Sequence, residues 1–177
     1  MIGPLALAAN VKVTPLGGHD GEFCPLDRAL IFEDPNGTRI LYDAGRTVAG
    51  ADDPRLGKID IILVTHMHGD HVGNAHNKAP NSGTCESPDT SVSAMPNSNS
   101  VNIALAKKAK IVTGSEMPPF FAAKLAANGG DPKDSMLVRF GVTQIVIDKD
   151  RGLEILVRAL NGTYSPLRNG IATGFNP

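Results

Sequence analysis

The chain reads as an α/β protein, and three observations carry that reading. Short alternating or β-branched runs recur at 11–14, 28–33, 38–42, 59–64 and 110–113, with the period and composition of strands. Helical stretches at 101–108 and 115–127 follow them. The longest strand-like run, Ile59-Asp60-Ile61-Ile62-Leu63-Val64, is nearly unbroken in apolar residues and fits a strand buried on both faces, as in a parallel sheet flanked by other layers.

Taken in order, Val11-Lys12-Val13-Thr14 alternates and predicts a first strand, and the loop Gly17-Gly18-His19-Asp20-Gly21 follows. The runs 28–33 and 38–42 flank Asp34-Pro35-Asn36-Gly37, whose Asn-Gly pair predicts the positive φ angles of a tight hairpin turn. The stretch from Asn74 to Asn102 is rich in Asn, Ser, Pro, Gly and Thr and reads as one long loop within a domain. A short helix over Val101–Lys108 and a strand over Lys110–Thr113 come next. Ser115 is the expected cap of a helix with Pro118 and Pro119 in its first turn, stopping at Gly129-Gly130. Residues 143–147 and 153–160 read as a second hairpin, with Asp148 a turn residue, and 161–177 as a loose tail.

A length of 177 residues suits a single domain, 1–177. Hydrophobic residues make up 41% and aromatics 5% with no Trp, so the core must be built from Ile, Val, Leu and Ala. The formal charge of −1 supplies no cationic field for a polyanion, which argues against nucleic acid or an anionic membrane and for a small-molecule substrate. No apolar run approaches the roughly 20 residues of a membrane span. Residues 1–10 resemble the end of a secretory signal without its basic start, which favours the periplasm or secretion over the cytoplasm. Cys24 and Cys85 either pair in an oxidising compartment or are plain core residues, the commoner case.

The chemistry lies in Thr65-His66-Met67-His68-Gly69-Asp70-His71, directly after the apolar run. Three imidazoles and one carboxylate within six residues have no ready structural explanation. On an extended backbone His66 and His68 project to one side and converge on a cation, and Gly69 lets the chain turn so that Asp70 and His71 face a second position. Imidazole and carboxylate donors suit Zn²⁺, one ion or two, with iron or manganese as substitutes. Met67 is expected to face the core, and His19 and His76 read as solvated loop histidines.

His-x-His-x-Asp-His after an apolar strand resembles the signature of the metallo-β-lactamase fold superfamily, and Leu41-Tyr42-Asp43-Ala44-Gly45 resembles its preceding motif. The resemblance is specific in 38–74, persuasive in order over 11–125, and fades beyond. It implies an αββα sandwich, here incomplete, with a first half and a divergent remainder. It also implies that His66 and His68 bind a first metal, that Asp70 and His71 bind a second, and that Asp43 orients the metal loop by hydrogen bonds. In this family two zinc ions activate water to attack an electrophilic carbonyl or phosphorus, with Asp70 positioned to shuttle the proton.

The departure is in the later ligands. The family completes its sites with histidines and a bridging Asp further along, whereas this chain has five histidines and none after His76. The expected function is therefore a zinc-dependent hydrolase of an ester, lactone or β-lactam. The alternatives are a degenerate relative that binds metal weakly without catalysis, and a member of the phosphodiesterase or nuclease branch. A homodimer in which a partner chain completes the site is a further expectation.

Overall fold

The computed structural model describes residues 10–17 and 28–137. The chain divides into two compact units, Met1–Arg139 and Phe140–Pro177, and the described residues lie in the first. The leader up to residue 9, His19, Cys24, the hairpin expected at 143–160 with Asp148, and the tail 161–177 lie outside the described residues.

A six-stranded sheet organises the unit, in the order β1 (Lys12–Pro15), β2 (Leu30–Glu33), β3 (Arg39–Tyr42), β4 (Ile61–Val64), β7 (Lys110–Thr113) and β8 (Ser135–Leu137). The first three strands form an antiparallel meander, and β3, β4, β7 and β8 run parallel to their neighbours. The change of sense falls where the chain stops making hairpins and begins to cross over, first through the long helix-free connection between β3 and β4 and then through helices, because parallel neighbours cannot be joined by a tight turn. The β2–β3 hairpin forms where expected. Its turn differs in detail: Gly37 alone takes a positive φ, and the loop closes through Gly37 N–H to Asp34 O and Asp34 N–H to Thr38 O.

Among the described residues three α-helices accompany the sheet: α1 (Gly69–Val72), α2 (Asn99–Lys107) and α3 (Met117–Ala127). Helix α2 starts two residues before its expected position because Ser98 caps it, accepting a hydrogen bond from Val101 N–H. Ser115 does not cap α3. It sits at φ +55°, and Glu116 occupies the cap position without a side-chain hydrogen bond. The expected long loop is partly ordered, since β5 (Ala75–His76) pairs antiparallel with β6 (Val92–Ser93). Two-residue strands leave too little periodicity to be read from sequence.

The two faces of the sheet differ. On one, Ile31, Leu41, Ile62 and Ile111 stand side by side in register, all fully buried, in one core with Val101, Ile103, Phe121 and Leu125 of α2 and α3. On the other, Leu30, Tyr42, Leu63 and Val112 form a half-buried apolar row that runs on to Met136, which is 41% exposed. Strand β4 is therefore fully buried on one face only, alternating between half-buried and buried residues along its length. Among the described residues no helix is long and apolar enough to cross a membrane.

Candidate metal centre

The site grows from strand register. Because β3 and β4 are parallel with Tyr42 opposite Leu63, the residues just past their carboxyl ends, Asp43 and Thr65, emerge side by side. Crevices at the carboxyl ends of parallel strands are where ligands bind in α/β sheets. Asp43 leaves the strand at φ +41°, a left-handed conformation that short polar side chains tolerate better than most. Its N–H donates to Leu63 O, and its carboxylate is wholly buried.

That carboxylate braces the histidine loop. Oδ1 accepts from Thr65 N–H at 2.9 Å, and Oδ2 accepts from the Thr65 hydroxyl at 2.7 Å. Oδ2 also lies 2.7 Å from His71 Nδ1. A carboxylate only accepts, so His71 donates from Nδ1, and Nε2 is the ring nitrogen left for a second partner. A histidine whose far nitrogen is fixed by a carboxylate is the usual arrangement for a metal-ligating imidazole.

Beyond Thr65 the chain makes one helical turn, α1, with His68 at its amino-terminal cap position and Gly73 closing it at φ +72°. Gly69 opens α1 directly after the extended His68. It also allows close approach, since a Cβ there would lie 2.2 Å from Asn74 Oδ1. Gly73 has both demands: besides its positive φ, a Cβ would lie 2.3 Å from Gly45 O. The loop is further pinned by Gly45 N–H to His71 O, Asn99 N–H to Gly73 O and the Ser100 hydroxyl to Val72 O. Asn99, fully buried, also donates from its side chain to Val48 O. These two residues of α2 position the loop, and nothing in their sequence context marks them out.

His66, His68, Asp70 and His71 are brought to one edge. The His66 ring lies 3.7 Å from that of His71 and 4.6 Å from that of His68, centroid to centroid. Asp70 Oδ2 is 3.5 Å from His71 Nε2 and 3.5 Å from Arg28 Nε. Burial works against the Asp70 charge, but its own backbone N–H and the nearby His71, Arg28 and Arg46 outweigh it and hold the carboxyl below its usual range. Two ligands of a tetrahedral zinc, each about 2.1 Å from the ion, stand roughly 3.4 Å apart, so the Asp70 and His71 donors match that spacing. The expected convergence is only partial, however: among the described residues no three His, Cys, Asp or Glu side chains are grouped to hold a metal ion.

Three neighbouring expectations are corrected. Met67 is 38% exposed, because the loop has left the sheet before it and no core lies beneath. His76 is 8% exposed rather than solvated, with Nδ1 2.8 Å from Asn77 O and its ring against Gly50. Pairing of β5 with β6 draws it inward. Cys85 is disulfide-bonded rather than a plain core thiol, and Cys24 is the chain's one other cysteine.

The class that fold and site define is an α/β protein with a histidine-rich loop braced by a buried carboxylate at the carboxyl ends of parallel strands. Residues 29–85, roughly a third of the chain, match the model of the metallo-beta-lactamase superfamily. Short matches of a different kind also occur. The chain is 60% identical over 37 residues to the type IV secretion system protein PtlC of Bordetella pertussis, covering 21% of this chain and 4% of that protein. It is 46% identical over 43 residues to the type IV secretion system protein virB4 of Bartonella quintana, covering 24% and 6%. A match to protein virB4 of Agrobacterium fabrum is 49% identical over 45 residues, covering 25% and 6%. The chain thus spans only a small part of these relatives. No solved structure matches.

Proposed function

We propose that the chain carries a zinc-dependent hydrolytic centre in which His66 and His68 hold one ion and Asp70 and His71 a second. The observation that carries this reading is the Asp43 brace, which fixes His71 through Nδ1 and turns Nε2 toward Asp70 Oδ2 at 3.5 Å. A buried carboxylate spent on orienting one imidazole is hard to explain in a loop with no ligand to hold. Zinc, when bound, supplies Lewis acidity and lowers the pKa of a water toward neutrality. In this reading Asp70 would be the group that accepts a proton and returns it to a leaving group. Asp43 and Thr65 keep the loop rigid. Iron or manganese would suit the same donors.

The substrate proposed is a small molecule with an ester, lactone or β-lactam bond, in keeping with a net charge of −1. The half-buried apolar row on the second face of the sheet supports a further layer, as in an αββα sandwich. The Cys85 disulfide favours an oxidising compartment, the periplasm or outside the cell. The secretion-protein likeness covers a quarter of the chain or less and has no part in this reading.

A second reading, metal binding without turnover, is favoured by one specific observation: no histidine follows His76 and no third donor joins the Asp70 and His71 pair among the described residues. A homodimer that contributes the missing donors would reconcile the two. Zinc per chain on freshly purified protein, with His68→Ala as control, is the test. Loss of zinc in the variant together with hydrolysis of a chromogenic β-lactam supports the enzyme, and hydrolysis of a chromogenic phosphodiester instead moves it to the nuclease branch. Zinc without turnover leaves the second reading, and full zinc retention in the variant removes the assignment.

A further inference from the structure

We propose that Arg46 is an anion-binding residue beside the histidine loop, and that the molecule bound there carries a carboxylate or phosphate group for its guanidinium to grip. This deepens the reading above, on which it rests for the reaction that follows, by naming a substrate class for the same strand ends. The other described arginines all have side-chain partners. Arg39 reaches Glu33, Lys58 O and Leu56 O, Arg55 reaches Asp53, Gly17 O and Thr47 O, and Arg28 lies against Asp70. Arg46, half-buried, makes no side-chain hydrogen bond or ion pair among the described residues. A guanidinium carries five N–H donors in a planar fork that matches the paired oxygens of a carboxylate or phosphate. Donors left unmet next to a loop of ligand-type residues point to a group that the ligand brings.

The backbone holds Arg46 in place on both sides. Gly45 N–H donates to His71 O at 2.9 Å, and a Cβ on Gly45 would lie 2.7 Å from Asp70 O and 3.7 Å from Arg28 Cβ, so three segments meet at this point. Arg46 O accepts from Asn77 N–H at 2.7 Å, and the buried Thr47 donates from its hydroxyl to Leu16 O at 2.6 Å. A chain fixed in this way loses less freedom when the side chain closes on a ligand. Burial works to raise the Asp70 pKa, and Arg46 is among the groups that outweigh it, behind the Asp70 N–H, His71 and Arg28. Its charge therefore reaches the edge where the histidines gather. Arg28 already stands 3.5 Å from Asp70 Oδ2, so Arg46 acts on that carboxylate without an ion pair of its own.

The test is the melting temperature of the full chain at low ionic strength, titrated separately with inorganic phosphate and with succinate, and with sodium chloride at matched ionic strength as reference. An anion that binds the folded state raises Tm. At least one of the two should stabilise the wild type beyond the chloride reference, phosphate indicating a phosphorylated ligand and succinate a carboxylate one. The apparent affinity should fall about tenfold or more in Arg46→Met, which keeps the stem and removes the donors. Arg46→Lys, a point charge without the fork, should keep part of the response. Circular dichroism confirms the fold, and Arg46→Gln replaces the Met variant if that one does not fold. An undiminished response without the guanidinium, or no response of the wild type to either anion, overturns the proposal. The hydrolytic reading is judged separately by zinc content and turnover. Anion binding without either leaves Arg46 its role and removes that reading, whereas zinc-dependent turnover with no anion response does the reverse.

Discussion

At the scale of single residues, Asp43 has the most consequential environment among the described side chains. Its two oxygens, wholly buried, receive hydrogen bonds from Thr65 N–H, the Thr65 hydroxyl and His71 Nδ1. Asp43→Asn is an informative change because asparagine also tolerates the left-handed backbone at this position, so the charge and one acceptor are lost without new strain. The amide leaves either Thr65 or His71 unpaired. We expect a stability loss of about 2 kcal/mol and at least a tenfold weakening of zinc binding. Thermal denaturation and a zinc titration on the same preparation check it, and a variant equal to wild type in both would remove Asp43 from any orienting role.

Among the elements, the histidine loop and the strand-end loop after β3 are packed backbone to backbone. Gly73 shows how closely. A methyl group there would fall 2.3 Å from Gly45 O and 2.6 Å from Asn99 Cβ, and the residue sits at φ +72°. Gly37, in the β2–β3 turn, has a similar φ of +84° but nothing within 4 Å. The pair separates conformational cost from collision. Gly37→Ala should cost about 1 kcal/mol, the penalty of the left-handed region alone. Gly73→Ala should cost about 3 kcal/mol or more and disturb the loop, since rigid backbone cannot move aside as a side chain can. Chemical denaturation of the two variants measures the difference, and equal costs would mean that the loops separate readily.

For the molecule as a whole, a buried ion pair ties the segment after β3 to the end of β1. Asp53, whose side chain is fully buried, accepts from Ala49 N–H, Arg55 N–H and the Arg55 guanidinium, and Arg55 reaches on to Gly17 O and Thr47 O. Burial works to raise the Asp53 pKa, but the Arg55 side chain and the two backbone N–H donors outweigh it and hold the carboxyl below its usual range. The folded state therefore favours the charged form. This contribution is fully present above the unfolded pKa of about 3.9 and is lost as pH falls through the lower folded value. Asp53→Asn should destabilise the protein by about 3 kcal/mol at pH 7, because it strands a mostly buried arginine, and the deficit should narrow below pH about 4. Urea midpoints at pH 7 and pH 3 decide this, and a pH-independent deficit would remove the charge from the account.

The sequence by itself determined the α/β class, the β2–β3 hairpin, strands β4 and β7, helix α3 and the histidine loop. Each of these is set by local periodicity or by ligand-type residues close together in the chain, as in His66 to His71. The resemblance already implied Asp43 as the residue that orients that loop, and the tertiary structure alone decided its partners and added Asn99 and Ser100. Asp43 meets His71 across 28 positions, and Asn99 meets Val48 across 51, through strand register and helix packing that leave no local trace. It also decided the burial of His76, the exposure of Met67 and the closeness of Arg28 to Asp70, since burial and pairing depend on what the remainder of the chain places nearby. Ligand chemistry is written in side chains and can be read one residue at a time, whereas the geometry that aims those side chains is a property of contacts between distant segments.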